Sequence, residues 1–341
     1  MSAAETVAVG MIGCGGNGRG HMGRLLKMPG VKIAALADPS PQAIEATIKA
    51  YPVLASVPVF SDYQQMLDSV ELDAVEISTP HAFHFEQIMH SLEAGKHVLC
   101  EKPMVCTVAQ AKAVVRKAHE TGLVMGISYQ RHFMPPFRYC REKILSGEYG
   151  KVNFIAAYQS QNWYRNRMAR RDWRSRKDLA CGGQLNDSGS HLVDMVLWMT
   201  GLQPETVYAF QDNLEAEVDI LTAMSVRFRG GAMGNLSVVG HAVNWLEHIT
   251  IACEDASIVI QGDQVIEWPG GERARTVPKN EMPAGWDPDT NFIRAIRGQE
   301  QIQAPPECGL EVIRLTEAAW RSAERGQPVQ VSEVDAVPEA V

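Results

Sequence analysis

The 341-residue chain contains no apolar run close to the roughly 18 residues that a membrane-crossing helix needs, so no membrane partner is expected. It has no C-x-x-C pair, and its seven cysteines are scattered and odd in number. That excludes a zinc ribbon and a disulfide framework, and reads as reduced thiols in a cytoplasmic protein. Residues Met1–Thr6 carry no basic stretch ahead of an apolar one, so no export signal is expected. Positive charge is also short. Lys and Arg number 32 against 40 Asp and Glu, and the resulting net charge of −8 opposes a general nucleic-acid binder. No internal repeat or low-complexity segment suggests a solenoid or a disordered tail. What remains is an ordinary globular composition, 45% hydrophobic, in a chain long enough for two domains.

The most informative stretch comes first. Val7–Ile12 is an apolar run of strand length, and Gly13, Gly15 and Gly18 follow it with G-x-G-x-x-G spacing, opening a helical pattern near Asn17. In a dinucleotide fold such glycines give a tight turn, close approach to a pyrophosphate, and close packing of helix on strand. The helix N-terminus offers free N–H groups to the phosphates. A second apolar run, Val31–Ala37, ends at Asp38, twenty positions after Gly18, where a ribose-binding carboxylate is expected. An acid there accepts from ribose hydroxyls and repels a 2′-phosphate, and no Arg or Lys stands between Asp38 and Lys49. The cofactor indicated is NAD rather than NADP. The competing reading of Asp38 is a turn residue before Pro39.

Strand and helix patterns alternate through residue 130. Strands are expected at 31–37, 57–60, 73–78, 96–100 and 124–129, with helices near 41–51, 62–67, 83–94 and 108–120 between them. That alternation predicts a parallel α/β sheet, doubly wound as in a Rossmann domain. From 131 onward the pattern changes. A helix at 136–145 and a strand at 152–158 precede consecutive strand-like segments at 219–228, 232–239, 247–253 and 257–260, with Gly230-Gly231 as a hairpin turn. The second half, 131–341, is therefore expected to be an α+β domain with a large, mostly antiparallel sheet. Helices at 290–296 and 310–325 close it, the last one placed to pack back on the first domain, and the tail after Ser332 is expected to fray.

Four clusters carry candidate chemistry. Ser78-Thr79-Pro80-His81, with His84, stands at the end of a predicted parallel strand, where α/β sheets bind ligands; a structural hydrogen bond is the equal alternative for His84. Glu101-Lys102-Pro103 follows the next strand, and a lysine fixed there would stabilise an alkoxide or lower a hydroxyl pKa. As an isolated tripeptide it would read as a surface turn. Asp187 and His191 are four apart, so on a helix they would share one face and could hold a sugar diol and move a proton. A capping aspartate with a buried histidine is the plainer reading. The fourth cluster is Arg165, Arg167, Arg170, Arg171, Arg174, Arg176 and Lys177, interleaved with Trp163 and Trp173. A surface loop or subunit contact outweighs a loop that holds an anionic cofactor or a sugar acid.

In this order the clusters resemble the Gfo/Idh/MocA family of NAD(P)-dependent oxidoreductases over nearly the whole chain. The matching pieces are Gly13–Gly18, Asp38-Pro39, Thr79-Pro80 with His84, Glu101-Lys102-Pro103, Trp173-Arg174, Gly182-Gly183, Asp187-x-Gly189-x-His191 and the closing Ser322-Ala323 helix. The resemblance implies a Rossmann domain and a second domain whose open sheet builds homodimers or homotetramers. It implies Lys102, Asp187 and His191 as the catalytic group, and Trp173 and Arg174 near the cofactor, beside Gly13, Gly15, Gly16, Asn17, Gly18, Asp38, Ser78, Thr79, Pro80, His81, His84, Glu101 and Lys102. Substrates in the family are mostly sugars, polyols and their derivatives. The basic loop after Asn162 and the Gly16-Asn17 and Arg19-Gly20 pairs depart from the common pattern.

The expected reaction is hydride transfer between NAD and a secondary alcohol or ketone of a sugar, inositol or sugar derivative, without a metal. His191 is the first choice for the base and Lys102 polarises the oxygen, or the two exchange roles; Asp187 orients the imidazole or grips a neighbouring hydroxyl. Tyr129, Arg131, Trp163, His241 and Trp245 are candidates for substrate specificity. One rival is an NAD-dependent glycosidase that uses transient oxidation with no net redox change. The other is a non-catalytic NAD- or sugar-binding regulator, which the presence of both Lys102 and His191 disfavours.

Overall fold

A computed structural model describes residues 6–170 and 172–336. Arg171, the extreme N-terminus and the last five residues lie outside the described residues, and with them most of the leader and tail readings. The chain forms two compact units. One runs to Val105 and adds Gln110–Ser128 and Asp287–Glu307; the other comprises Cys106–Ala109, Tyr129–Trp286 and the chain from Cys308 onward.

The first unit contains β1 (Val7–Ile12), α1 (Gly16–Leu25), β2 (Val31–Ala37), α2 (Pro41–Ala50), β3 (Val59–Phe60), α3 (Tyr63–Ser69), β4 (Ala74–Ile77), α4 (His84–Glu93), β5 (His97–Cys100), most of α5 (Val108–Thr121) and β6 (Met125–Ile127). Its six strands are ordered β3-β2-β1-β4-β5-β6 and are all parallel. Every residue of β1 and β4 is buried, as expected for strands covered on both faces. The strand order reverses between β1 and β4, and ligands bind beyond the strand ends at such a point. Ser40 caps α2 and Asp62 caps α3, each accepting from a backbone N–H of the first turn.

The second unit holds α6 (Pro135–Leu145), β7 (Val152–Asn162), α7 (Trp163–Arg170), α8 (Lys177–Ala180) and α9 (Gly189–Thr200). The strands β8 (Pro204–Asp212), β9 (Leu221–Phe228), β10 (Met233–Val239), β11 (His241–Cys253), β12 (Ala256–Gln261), β13 (Gln264–Pro269) and β14 (Arg275–Thr276) follow. Next, α10 (Pro288–Ile296) returns to the first unit, while α11 (Pro306–Arg325), β15 (Val329–Gln330) and α12 (Ser332–Asp335) finish the second. Nine strands are ordered β14-β13-β12-β11-β7-β10-β9-β8-β15. All described pairings are antiparallel except β10 on β7, where Met233 lies opposite Phe154. Strand β9 alternates strictly between buried and outward residues, so only one face of the sheet is covered. On that face α9 is buried almost all round, with α6 beside it. The opposite face leaves Phe154, Tyr158, Phe210, Met233 and Trp268 exposed.

Four sequence expectations change. The helix expected at 290–296 to close the second half is α10, which belongs to the first unit. Cys106 and Cys181 form a disulfide, with Cα atoms 5.6 Å apart across 75 residues of sequence. The other five cysteines are free, so reduced thiols hold only for them. The fold brings those two cysteines together without any local spacing signal. Residues 332–335 do not fray: they form α12, and Arg314 Nε donates to Asp335 at 2.9 Å. Asp187 is not on a helix with His191, because α9 starts at Gly189 and Asp187 lies in the turn before its cap.

Candidate active site

In the first unit the glycine turn is shaped as the sequence implies. Gly13 has φ +98°, and a Cβ there would lie 2.7 Å from the backbone of Ser78. At Gly18 a Cβ would meet the Gly13 carbonyl oxygen at 2.1 Å, so only glycine lets α1 pack this close to the turn. Gly15 and Gly16 face open space at the N-terminus of α1, with Asn17 in its first turn. That is the geometry of an anion cradle. Asp38 closes the end of β2: its carboxylate accepts from Cys14 N and Ser40 N, both at 2.8 Å. Beside it is a cavity of about 420 Å³ lined by Asp38, Pro39, Pro41, Ile44, Glu45, Ile48, Val59 and Ser61. The lining is apolar, with two carboxylates and no cation. It suits an adenine and its ribose diol, and it gives a 2′-phosphate no counter-charge.

The loop after β4 is tied to its own unit. Ser78 Oγ donates to Glu76 Oε1 at 2.6 Å, and Thr79 Oγ1 donates to Gln87 Oε1 at 2.6 Å. Pro80 begins the short turn carrying His81, which is buried with its ring edge-on to His84 at 5.7 Å. Both His84 nitrogens face carbonyl oxygens, Pro103 at 2.9 Å and Thr79 at 3.0 Å. His84 therefore joins the Thr79 loop to the Lys102 loop. Burial pushes its pKa down, and a neutral ring donates to one of those two carbonyls at a time.

Lys102 is buried after β5, next to a cis peptide bond to Pro103, and its backbone N–H donates to Glu101 Oε2 at 3.2 Å. The other Glu101 oxygen lies 3.1 Å from His21 Nε2, and His21 Nδ1 is 2.7 Å from Asp289 on α10. Glu76 approaches the same ring at 3.5 Å, and Arg24 pairs with Asp289. Burial works against the charged imidazole, but Glu76 and Asp289 outweigh it and hold the His21 pKa well above its ordinary value. Burial also opposes a charged Glu101, yet His21 and Lys102 bring that carboxyl down to about 2. Glu76 is the loser of the cluster: burial, against partial relief from His21 and Ser78, pushes it up to about 8.

In the second unit, the turn from Gly182 to His191 is clamped by Asp219. One Asp219 oxygen accepts from Gly183 N at 2.9 Å and from Trp320 Nε1 of α11 at 3.2 Å, the other from Leu185 N at 2.8 Å. Gly183 lies so close that a Cβ would meet the Asp219 carbonyl oxygen at 1.9 Å. The turn closes with Asp187 N donating to Gly183 O at 2.9 Å and Ser190 Oγ donating to Asp187 O at 2.8 Å. His191 is buried in the first turn of α9, edge-on to the Tyr129 ring at 6.0 Å.

Three arginines of the basic segment, Arg167, Arg174 and Arg176, meet acids. Arg167 pairs with Asp172 at 2.7 Å, Arg176 with Asp178 at 2.6 Å, and Arg165 Nε donates to His241 at 3.2 Å. Arg174 lies over the Trp173 ring at 4.2 Å, and its Nε is 3.2 Å from Asp187 Oδ2. Of the specificity candidates, Arg131 is buried against Glu247 at 2.6 Å, while Trp245 is exposed on β11. Sequence reasoning missed Asp219, His21 and Asp289. The first is visible only as a carboxylate at the head of an apolar strand; the other two have no local signal.

The comparisons agree with this geometry. Residues 7–129 match the family described as "Oxidoreductase family, NAD-binding Rossmann fold", and residues 137–259 match the Gfo/Idh/MocA C-terminal domain. Levoglucosan dehydrogenase of Pseudarthrobacter phenanthrenivorans is 27% identical over 58% of this chain, which spans only 52% of that protein. The scyllo-inositol 2-dehydrogenase (NADP(+)) IolW of Bacillus subtilis is 28% identical over 96% of both chains. Among solved structures, the WlbA dehydrogenase of Bordetella pertussis in complex with NADH and UDP-GlcNAcA superposes with a TM-score of 0.83 at 25% identity, covering 96% of this chain and 99% of that one. Two domain matches, a Rossmann turn shaped for a dinucleotide and the Lys102, Asp187 and His191 motifs lead to one assignment: the chain belongs to the Gfo/Idh/MocA family of NAD-binding oxidoreductases.

Proposed function

We propose that this enzyme transfers hydride between NAD and a secondary alcohol or ketone of a sugar, an inositol or a related polyol. The observation that carries the reading is the Gly182–His191 turn. It offers a carboxylate and an imidazole from one segment whose backbone Asp219 fixes, as recognition of a diol and removal of a hydroxyl proton require. When bound, the nicotinamide supplies the hydride acceptor. The residues Gly13, Gly15, Gly16, Asn17, Gly18 and Asp38 bind the dinucleotide, and Asp38 with Glu45 favours NAD over NADP. In this reading His191 accepts the hydroxyl proton, Lys102 polarises the oxygen and Asp187 orients the imidazole or holds a neighbouring hydroxyl. Thr79, Pro80, His81 and the Trp173-Arg174 pair complete the cofactor side. A second copy of the chain covers the open face of the nine-stranded sheet, in a homo-oligomer.

The test is NADH formation from NAD against a panel of sugars, inositols and sugar acids, with NADP in parallel. Turnover with one class and a preference for NAD are expected. The variants Lys102→Ala and His191→Ala should each lower kcat by about 10²–10⁴-fold, the range for losing a positioned acid or base. Parent-like turnover in both variants would remove the catalytic assignment. No net turnover, with NAD retained through purification, would transfer the reading to glycoside cleavage through transient oxidation.

A further inference from the structure

We infer that Trp163 is a positioning residue for Asp187, and that Arg174, in the segment following it, supports the same carboxylate. The inference rests on the polyol-dehydrogenase reading. Trp163 is buried at the start of α7, its ring among Val218 and Ile220, which flank the clamping Asp219 in sequence. Its Nε1 donates to Asp187 Oδ2 at 2.8 Å. The guanidinium of Arg174 reaches the same oxygen at 3.2 Å. The indole N–H is the hydrogen-bond donor to this oxygen and the guanidinium is a neighbouring cation, so the carboxylate is held by one directional contact and one charge.

A buried indole N–H needs an acceptor wherever it lies. What distinguishes this one is that the acceptor belongs to the turn carrying His191, and that a cation shares it. An indole donates and does not accept, so the Asp187 oxygen is the acceptor in this pair. Asp172 and Trp173 border the same contact. Asp172 holds Arg167 at 2.7 Å and lies 3.7 Å from Arg174, while the Trp173 ring supports the guanidinium. Asp172, Asp178 and Asp187 thus take Arg167, Arg176 and Arg174, and those charges are already met within the protein. Asp219 fixes the backbone of the turn; Trp163 fixes its side chain.

The experiment uses full-length Trp163→Phe, which keeps an aromatic ring and loses the N–H. With the best polyol of the panel, kcat should fall about tenfold or more while KM for NAD stays within about twofold. In the Asp187→Asn background the same substitution should have little further effect on kcat, since it acts through that carboxylate. A second measurement needs no turnover. The chain has seven tryptophans, and the indole ¹H–¹⁵N signal missing from Trp163→Phe should move in Asp187→Asn. An unmoved signal, or a folded Trp163→Phe enzyme with the parent's kcat, would overturn the inference. If the parent oxidises no polyol while the signal does move, the functional reading fails and the Trp163–Asp187 contact stands.

Discussion

Glu76 shows how one residue carries the cost of a crowded charge cluster. His21 serves Asp289, Glu101 and Glu76, and Glu76 gets the longest approach, 3.5 Å. Its Oε2 is buried without a hydrogen-bond partner. With its folded pKa about 8 against an ordinary 4.5, the native state keeps a proton that the unfolded chain releases. Stability associated with Glu76 is therefore full below about pH 4.5 and is lost as pH rises toward 8. Glu101 has the opposite sign: with its carboxyl at about 2, its contribution is present above about pH 4.5 and goes only in strong acid. Glu76→Gln should leave stability within about 1 kcal/mol at pH 5 and raise it at pH 9. Urea denaturation at the two pH values checks this; an equal effect at both would mean that Glu76 is ionised throughout.

At the scale of elements, the turn before α9 depends on contact between main chains. Gly183→Ala drives a methyl into the Asp219 carbonyl, which lies 1.9 Å from the Cβ position. The expected loss is roughly 2–4 kcal/mol, with kcat falling further than the folded fraction accounts for, since Asp187 moves with the turn. Thermal unfolding together with kcat per folded enzyme separates the two effects.

The β1-α1-β2 start was legible in the sequence because each step has a local cause: an apolar run, glycine spacing, and an acid at a strand end. Lys102, Asp187 and His191 were visible as motifs for the same reason. The geometry of Asp187 was not, because i and i+4 spacing implies a shared face only if the helix includes both, and α9 begins after Asp187. The helix α7 was hidden by its arginines, which give no apolar period. Asp219 and the cysteine pair escaped notice because what defines them is proximity across dozens of residues.

At the scale of the molecule, the open face of the nine-stranded sheet leaves apolar side chains exposed. Phe154 and Met233 pair across β7 and β10 and line a groove of about 660 Å³ with Tyr208 and Val226. Such a face matches what the family resemblance implies, a second copy of the chain. A double Phe154→Lys, Met233→Lys variant should shift sedimentation from dimer or tetramer toward monomer with its circular dichroism unchanged. A parent that sediments as a monomer at all concentrations would remove the proposal.

The late return of residues 287–307 has a consequence for biosynthesis. Asp289 is the partner of His21 and Arg24, Phe292 and Ile293 sit in the core beneath β1, and Ile127 N donates to the Ala304 carbonyl at 2.9 Å. A ribosome that has released only the first 130 residues has therefore exposed a nucleotide-binding sheet with a histidine among carboxylates and an unfilled gap in its core. The N-terminal unit starts first and is completed only after β7–β14 of the second sheet have been synthesised, so a fragment cut at residue 130 should be a poorer NAD binder than its intact glycine turn suggests.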